Sequence, residues 1–176
     1  MRRLLALVLL TAAGCGTVAS VGRPAPPFAV ESFAGETLRS ESLAGKVVVL
    51  DFWTSWCGPC RRTLPGLATV VDEYEGRDDV AILAVNATWN DTREDATAFL
   101  LGSRAYVPAY WDGTRQMARD YGVRAIPTTV VIGKDGRVAH LSKGGGSAEA
   151  YATKVRREVE AALAAAEAVA PDAAAE

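Results

Sequence analysis

Cys57 and Cys60 stand two residues apart in the stretch "DFWTSWCGPC", beside Trp53 and Trp56 and behind the apolar run "KVVVL". Three chemistries suit such a pair: half of a metal site, a structural disulfide, or a redox couple. A structural zinc ion needs four Cys or His ligands. The only further candidate in the same region is His140, the single histidine, which falls in an expected hairpin strand and reads as an ordinary strand residue. No metal is expected. A disulfide that closes so small a loop removes little chain entropy, so it makes a poor scaffold. Thiol-disulfide exchange needs one thiolate that attacks and a second thiol that resolves the mixed disulfide. A helix N-terminus favours the attacking thiolate, because free N–H groups and the helix dipole stabilise an anion. The sequence places Cys57 at such a boundary, exposed, directly after a strand, and Cys60 one turn later and more buried. Cys57 is therefore the expected nucleophile and Cys60 the resolving cysteine.

The elements that must position this pair follow from periodicity. "KVVVLDFW" is a continuous apolar, β-branched run suited to a central buried strand. After Cys57, Leu64, Leu67, Val70, Val71 and Tyr74 recur at helical spacing, with Pro59 in the tolerated first turn, Pro65 inside and Gly76 at the end. "DVAILAVNA" is a second buried strand. "NDTREDATAFLLGS" reads as a helix capped by Asn90 or Asp91 and stopped by Gly102. "YVPAYWD" is a short extended piece and "TRQMARDYGV" a short helix. "TTVVIGKDGRVAHLS" is a hairpin turning at Lys134, Asp135 and Gly136. A long helix opens at "SAEAYATKV" and its Ala-rich end, residues 166–176, is expected to be disordered. Ahead of the core, "FAVESFAGETLRS" forms a hairpin about Ala34 and Gly35, and "SESLAGK" one helical turn. The expected fold class is α/β, a central mixed sheet flanked by helices, with an N-terminal hairpin and an inserted helix and strand.

The chain has 176 residues and a formal net charge of −2, which gives no footprint for nucleic acid. Residues 1–14, "MRRLLALVLLTAAG", read as a secretory signal: basic, then apolar, then small. The apolar run falls short of the roughly 20 residues of a spanning helix. "AAGC" is similar to the lipobox of bacterial lipoproteins, although Ala12 stands where that family usually has Leu. The resemblance implies acylation of Cys15. Residues 15–27, with Pro24, Pro26 and Pro27, then read as a linker that carries a domain over residues 28–165. An exported chain is permitted disulfides.

"VVVLDFWTSWCGPC" resembles the active-site segment of the thioredoxin superfamily, and "YGVRAIPT" its second signature. The leader, the linker and about 25 extra residues between "AVN" and "YGV" make the layout similar to the membrane-anchored TlpA/ResA-type thioredoxins. The resemblance implies a thioredoxin-like fold and an exported protein-disulfide reductase, with substrates in cytochrome c or copper-site assembly. It implies Asp51 as the buried acid that relays protons to Cys60, and Pro127 as a cis-proline that leaves the backbone of Ile126 free for substrate. It implies Trp56 as the cover of the disulfide, and Gly58 and Pro59 as the dipeptide that tunes its potential. No cofactor is implied beyond the Cys57–Cys60 disulfide. The implied partners are disulfide-bearing exported proteins and a membrane thiol donor of the CcdA/DsbD type, with the chain a monomer outside the cytoplasm. Two positions depart from the family: Thr63 replaces a Glu, and Ala84 a Lys near the acid. Two other functions remain open. A thiol peroxidase would use Thr54 and Arg61 near Cys57, and a copper-delivery protein would use His140.

Overall fold

The computed structural model describes residues 18–169. Seven strands form one mixed sheet: β1 (Ala29–Ser32), β2 (Thr37–Arg39), β3 (Val47–Trp53), β4 (Val80–Asn86), β5 (Ala109–Trp111), β6 (Thr128–Ile132) and β7 (Val138–Lys143). Their order is β2-β1-β5-β4-β3-β6-β7. β3, β4 and β5 run parallel, while β6 joins β3 antiparallel and β7 joins β6 antiparallel. Among the described residues four α-helices cover the sheet, α1 (Gly58–Glu73), α2 (Arg93–Ser103), α3 (Gln116–Asp120) and α4 (Ala148–Val169), and one 3-10 turn spans Ser40–Leu43.

Every residue of β3 is buried, as its unbroken apolar run requires of a strand with a helical layer on each side. Alternation sends Val47, Val49 and Trp53 to the layer of α1, α2 and α4. It sends Val48, Leu50 and Phe52 to the layer of Met117, Ala118 and Tyr121. Asp51 falls on the first of these faces, in step with Val49 and Trp53. That face also holds both cysteines.

The α/β class, the N-terminal hairpin and the inserted α2 and β5 are as the sequence predicts. Three expectations change. Residues 18–27 are not a free linker. The N–H of Ala19 donates to the Asp120 carbonyl at 2.9 Å, that of Gly22 to Val138 at 2.8 Å and that of Ala25 to Gly136 at 2.9 Å. The Tyr121 hydroxyl donates to the Pro26 carbonyl at 2.8 Å. The prolines lack donors, but Gly22 and Ala25 between them supply enough to hold the segment beside the start of β7. The cap of α2 is neither Asn90 nor Asp91 but Thr92, whose hydroxyl accepts from the Asp95 N–H at 3.1 Å. Gly102 lies within α2, which is capped at its C-terminal end by Arg104 in the left-handed region (φ 53°). Finally, α4 runs to Val169, so the first residues expected in the disordered tail are helical. The signal expected over residues 1–14, Cys15 and residues 170–176 lie outside the described residues. Among the described residues no helix is long and apolar enough to cross a membrane.

Candidate active site

Strand β3 ends at Trp53, four residues turn the chain, and α1 begins at Gly58. Cys57 is the N-cap of α1, in extended backbone conformation, and its Sγ accepts the Cys60 N–H at 3.1 Å. One of the helix's free donors is thereby aimed at the sulfur. Pro59, in the first turn, has no N–H to leave unpaired. Cys57 and Cys60 are joined in a disulfide, with Cα atoms 5.2 Å apart. Cys60 is 1% exposed, and Cys57, expected to be open, is only 2% exposed. The N-cap geometry folds its sulfur back over the first helical turn. Gly58, Pro59 and Trp56 are the exposed residues of the turn.

The second signature reaches the same place. The Ile126–Pro127 peptide is cis, Ile126 is half-buried, and Ile126 packs against both helical layers. Pro127 and Pro59 converge on Gly145. A Cβ added there would lie 3.5 Å from Pro127 Cγ, 3.6 Å from the Pro59 carbonyl oxygen and 2.8 Å from Thr63 Cγ2. Only a glycine lets the β7–α4 connection pass this close. Thr63 is buried and donates to the Cys60 carbonyl at 3.2 Å. The position expected to hold a Glu thus holds a hydroxyl that is spent within its own helix.

Asp51 sits mid-strand, paired with Ala84 on β4 and Thr129 on β6. It is 1% exposed. Oδ1 accepts a short hydrogen bond from the Tyr151 hydroxyl of α4, and the Thr129 hydroxyl lies 3.4 Å from it. Burial pushes the Asp51 carboxyl up to about 6, against the Tyr151 hydrogen bond, the Lys154 charge and the Thr129 hydrogen bond, which all lower it. A carboxyl poised there can take and return a proton near neutrality.

The wall beside the cysteines comes from the insertion. Asp91 accepts from the Ser55 N–H at 2.7 Å and from the Asn86 side-chain amide at 2.7 Å, and also from the Ser55 hydroxyl. Trp56 is 54% exposed, and its indole N–H donates to the Trp89 carbonyl at 2.6 Å. Arg61 donates to the Ser55 carbonyl at 3.1 Å and lies 4.8 Å over the Phe99 ring. Trp53 is fully buried and stacks on Phe99 at 5.0 Å, so it belongs to the core, as the sequence suggests. His140 is half-buried on β7 opposite Val131. Among the described residues no three Cys, His, Asp or Glu side chains are grouped to hold a metal ion.

Of the residues singled out in the sequence, Cys57, Cys60 and Asp51 share one face of the sheet and Pro127 meets Pro59 at Gly145; Tyr151, Thr129, Lys154, Ser55 and Asp91, which line the same region, were not singled out. Tyr151 carried one usable signal. A tyrosine on the apolar stripe of α4 must bring a partner for its hydroxyl into the core.

Comparison with known proteins agrees with this geometry. A family model described as the AhpC/TSA family matches residues 21–141. The thiol-disulfide oxidoreductase ResA of Halalkalibacterium halodurans is 32% identical over 129 residues, 73% of this chain and 72% of its own. The thioredoxin-like protein YneN of Bacillus subtilis is 32% identical over 124 residues, 70% of this chain and 71% of its own. A crystal structure described as the thiol:disulfide interchange protein DsbE from Chlorobium tepidum superposes with a TM-score of 0.71 at 32% identity. It covers 82% of this chain and 99% of that one. This chain belongs to the AhpC/TSA family and has the thioredoxin-like fold.

Proposed function

We propose that the chain is an exported, membrane-anchored thiol-disulfide oxidoreductase that reduces protein disulfides through Cys57 and Cys60. The observation that carries this reading is the Cys57–Cys60 disulfide at the N-terminus of α1, with a helix N–H on the Cys57 sulfur and a buried carboxyl on the same face. Relatives named thiol-disulfide oxidoreductase support it.

In the dithiol form, the Cys57 thiolate attacks one sulfur of a substrate disulfide. A Cys57–substrate disulfide forms and the other substrate sulfur leaves as a thiolate. Cys60 passes its proton to the Asp51 carboxylate and attacks the Cys57 sulfur. The second substrate thiolate leaves, and the Cys57–Cys60 disulfide remains. Two electrons have moved to the substrate, whose thiolates take protons from water. A membrane thiol donor of the CcdA/DsbD type returns the pair to the dithiol. Pro127 and the backbone of Ile126, with Trp56 opposite, form the edge on which a substrate strand pairs. Gly58 and Pro59 tune the potential. The substrates are disulfide-bearing exported proteins, of the kind needed in cytochrome c or copper-site assembly. The chain acts as a monomer held to the membrane by a lipid on Cys15.

One set of variants in the native host tests this. Cys57→Ser abolishes exchange. Cys60→Ser accumulates substrates bound to Cys57, and these sediment with the membrane unless Cys15→Ser is added. A Cys57→Ser chain that still reduces disulfides sinks the activity. Trapped adducts that stay soluble with Cys15 intact sink the anchor.

A further inference from the structure

We propose that Tyr151 is the positioning residue of the proton relay, occupying Oδ1 of Asp51 so that Oδ2 takes the Cys60 proton, with Lys154 of the same helix supplying the facing positive charge. This rests on Cys57 and Cys60 being an exchanging pair.

Three hydroxyl and carboxyl oxygens meet in the interior. The Tyr151 hydroxyl is hydrogen-bonded to Asp51 Oδ1, and the Thr129 hydroxyl lies 2.8 Å from the Tyr151 oxygen and 3.4 Å from Oδ1. Tyr151 has one proton to give, and the carboxylate takes it. The Thr129 proton then serves the Tyr151 oxygen or Oδ1. In either arrangement the Tyr151 proton stays on Oδ1, and none of the hydrogen bonds among the described residues reaches Oδ2. One carboxylate oxygen is engaged and the other is open to a proton. A phenylalanine would fill the same core space, because Tyr151 is only 2% exposed. The hydroxyl is an added polar burial that only the carboxyl and Thr129 satisfy.

Lys154 completes the arrangement. Its Nζ donates to Ser142 Oγ of β7 at 3.0 Å and stands 4.9 Å from the centre of the Tyr151 ring. It comes from α4, whereas the strand position paired with Asp51, Ala84, carries no charge. The groups that face Asp51 are therefore Tyr151 and Lys154 from α4 and Thr129 from β6. On the α1 side of the same face stand the cysteines, and Ala84 on β4 is apolar. Glu158, further along α4, acts on Tyr151. A hydrogen bond donated to the carboxylate and a nearby cation both favour its charged form, and burial opposes them. Losing either moves the Asp51 titration upward, so proton transfer from Cys60 fails at a higher pH.

The test uses the full chain and the small disulfide dithio-bis-nitrobenzoate. Cys57 releases the first thionitrobenzoate and Cys60 displaces the second, and the rate of the second release is followed against pH. In Tyr151→Phe the acid limb of that profile moves up by about one pH unit, the scale of one hydrogen bond to a charged group. Lys154→Gln, at a half-exposed site, moves it the same way by less. It carries the test alone if Tyr151→Phe does not fold. Asp51→Asn removes the limb, and adding Tyr151→Phe to it changes the profile no further. Limbs left in place in Tyr151→Phe and Lys154→Gln, with wild-type exchange intact, overturn this inference alone. A wild-type chain that releases no second thionitrobenzoate overturns the proposed activity and this inference with it.

Discussion

At the residue scale, the same burial that suits Asp51 to proton transfer works against the fold. An isolated carboxyl of this kind titrates near 3.8, while burial pushes Asp51 up to about 6 in the folded chain. Between these values the folded state binds more protons than the unfolded state, so stability falls as pH rises through that window. Below it both states are protonated and the penalty vanishes. Above it the penalty is fully present. Asp51→Asn keeps an acceptor for Tyr151 and removes the charge. It is expected to stabilise the chain by about 2–3 kcal/mol at about pH 8 and by almost nothing at about pH 3. Denaturant midpoints of both proteins at the two pH values measure this, and a gain that does not depend on pH would show that Asp51 is not the titrating group. Asp51 was legible because it lies in one continuous motif with the cysteines. Tyr151 and Lys154 were not: a tyrosine on the apolar stripe of α4 signals a buried partner for its hydroxyl without naming Asp51, and nothing local distinguishes Lys154 from the outer face of any amphipathic helix.

At the scale of elements, the site depends on how closely α4 lies against α1. Gly66 of α1 is the contact that permits it. A Cβ at that position would stand 2.1 Å from the carbonyl oxygen of Ala148, the first residue of α4. Backbone cannot move aside as a flexible side chain can, so the helix pair must part. Gly66→Ala is expected to cost about 2–3 kcal/mol. Because Tyr151 sits one turn beyond Ala148, it is also expected to weaken the hold on Asp51. Gly102→Ala is the contrast. It lies within α2 with open space around it and is expected to stabilise by about 0.5–1 kcal/mol, the ordinary helix preference for Ala. Chemical denaturation of the two variants beside wild type reads both signs, and equal effects would remove the close approach as the reason for Gly66. The identity and order of the elements were legible from apolar periodicity and turn residues. Their ends were less so. Asn90, Asp91 and Thr92 are all capping types, and the choice fell to Thr92 because Asp91 is drawn to Ser55 and Asn86, the first of them 36 residues away in sequence. Likewise, residues 18–27 have a linker's composition, and the backbone hydrogen bonds that hold them to β7 leave no mark in composition.

For the whole molecule, the direction of electron flow is a question of stability. A dithiol pair whose folded protein is more stable as the dithiol is a strong oxidant, and one whose folded protein is more stable as the disulfide is a reductant. Local features of this chain pull both ways. The helix N-terminus behind Cys57 favours a thiolate and so the reduced form. Against it, both sulfurs are almost wholly covered and a buried carboxyl shares their face, which disfavours a charge on either sulfur. In the reading proposed above the second effect wins, and the Gly-Pro dipeptide resembles that of the reducing members of the superfamily. The potential should then lie near about −270 mV, as in thioredoxin, rather than near about −120 mV, as in DsbA. The two states of the protein must differ in stability by the same free energy that sets the potential, about 1.4 kcal/mol for each 30 mV relative to the unfolded pair. The oxidised chain is therefore expected to unfold at a higher denaturant concentration than the reduced chain. Matched unfolding curves of the two forms, with equilibration against a dithiol buffer, give the answer without knowledge of any substrate. A reduced form that outlasts the oxidised one would make the protein an oxidant of exported thiols. In that case Cys57, Cys60 and Asp51 would keep their places in the exchange, and the electrons would run the other way.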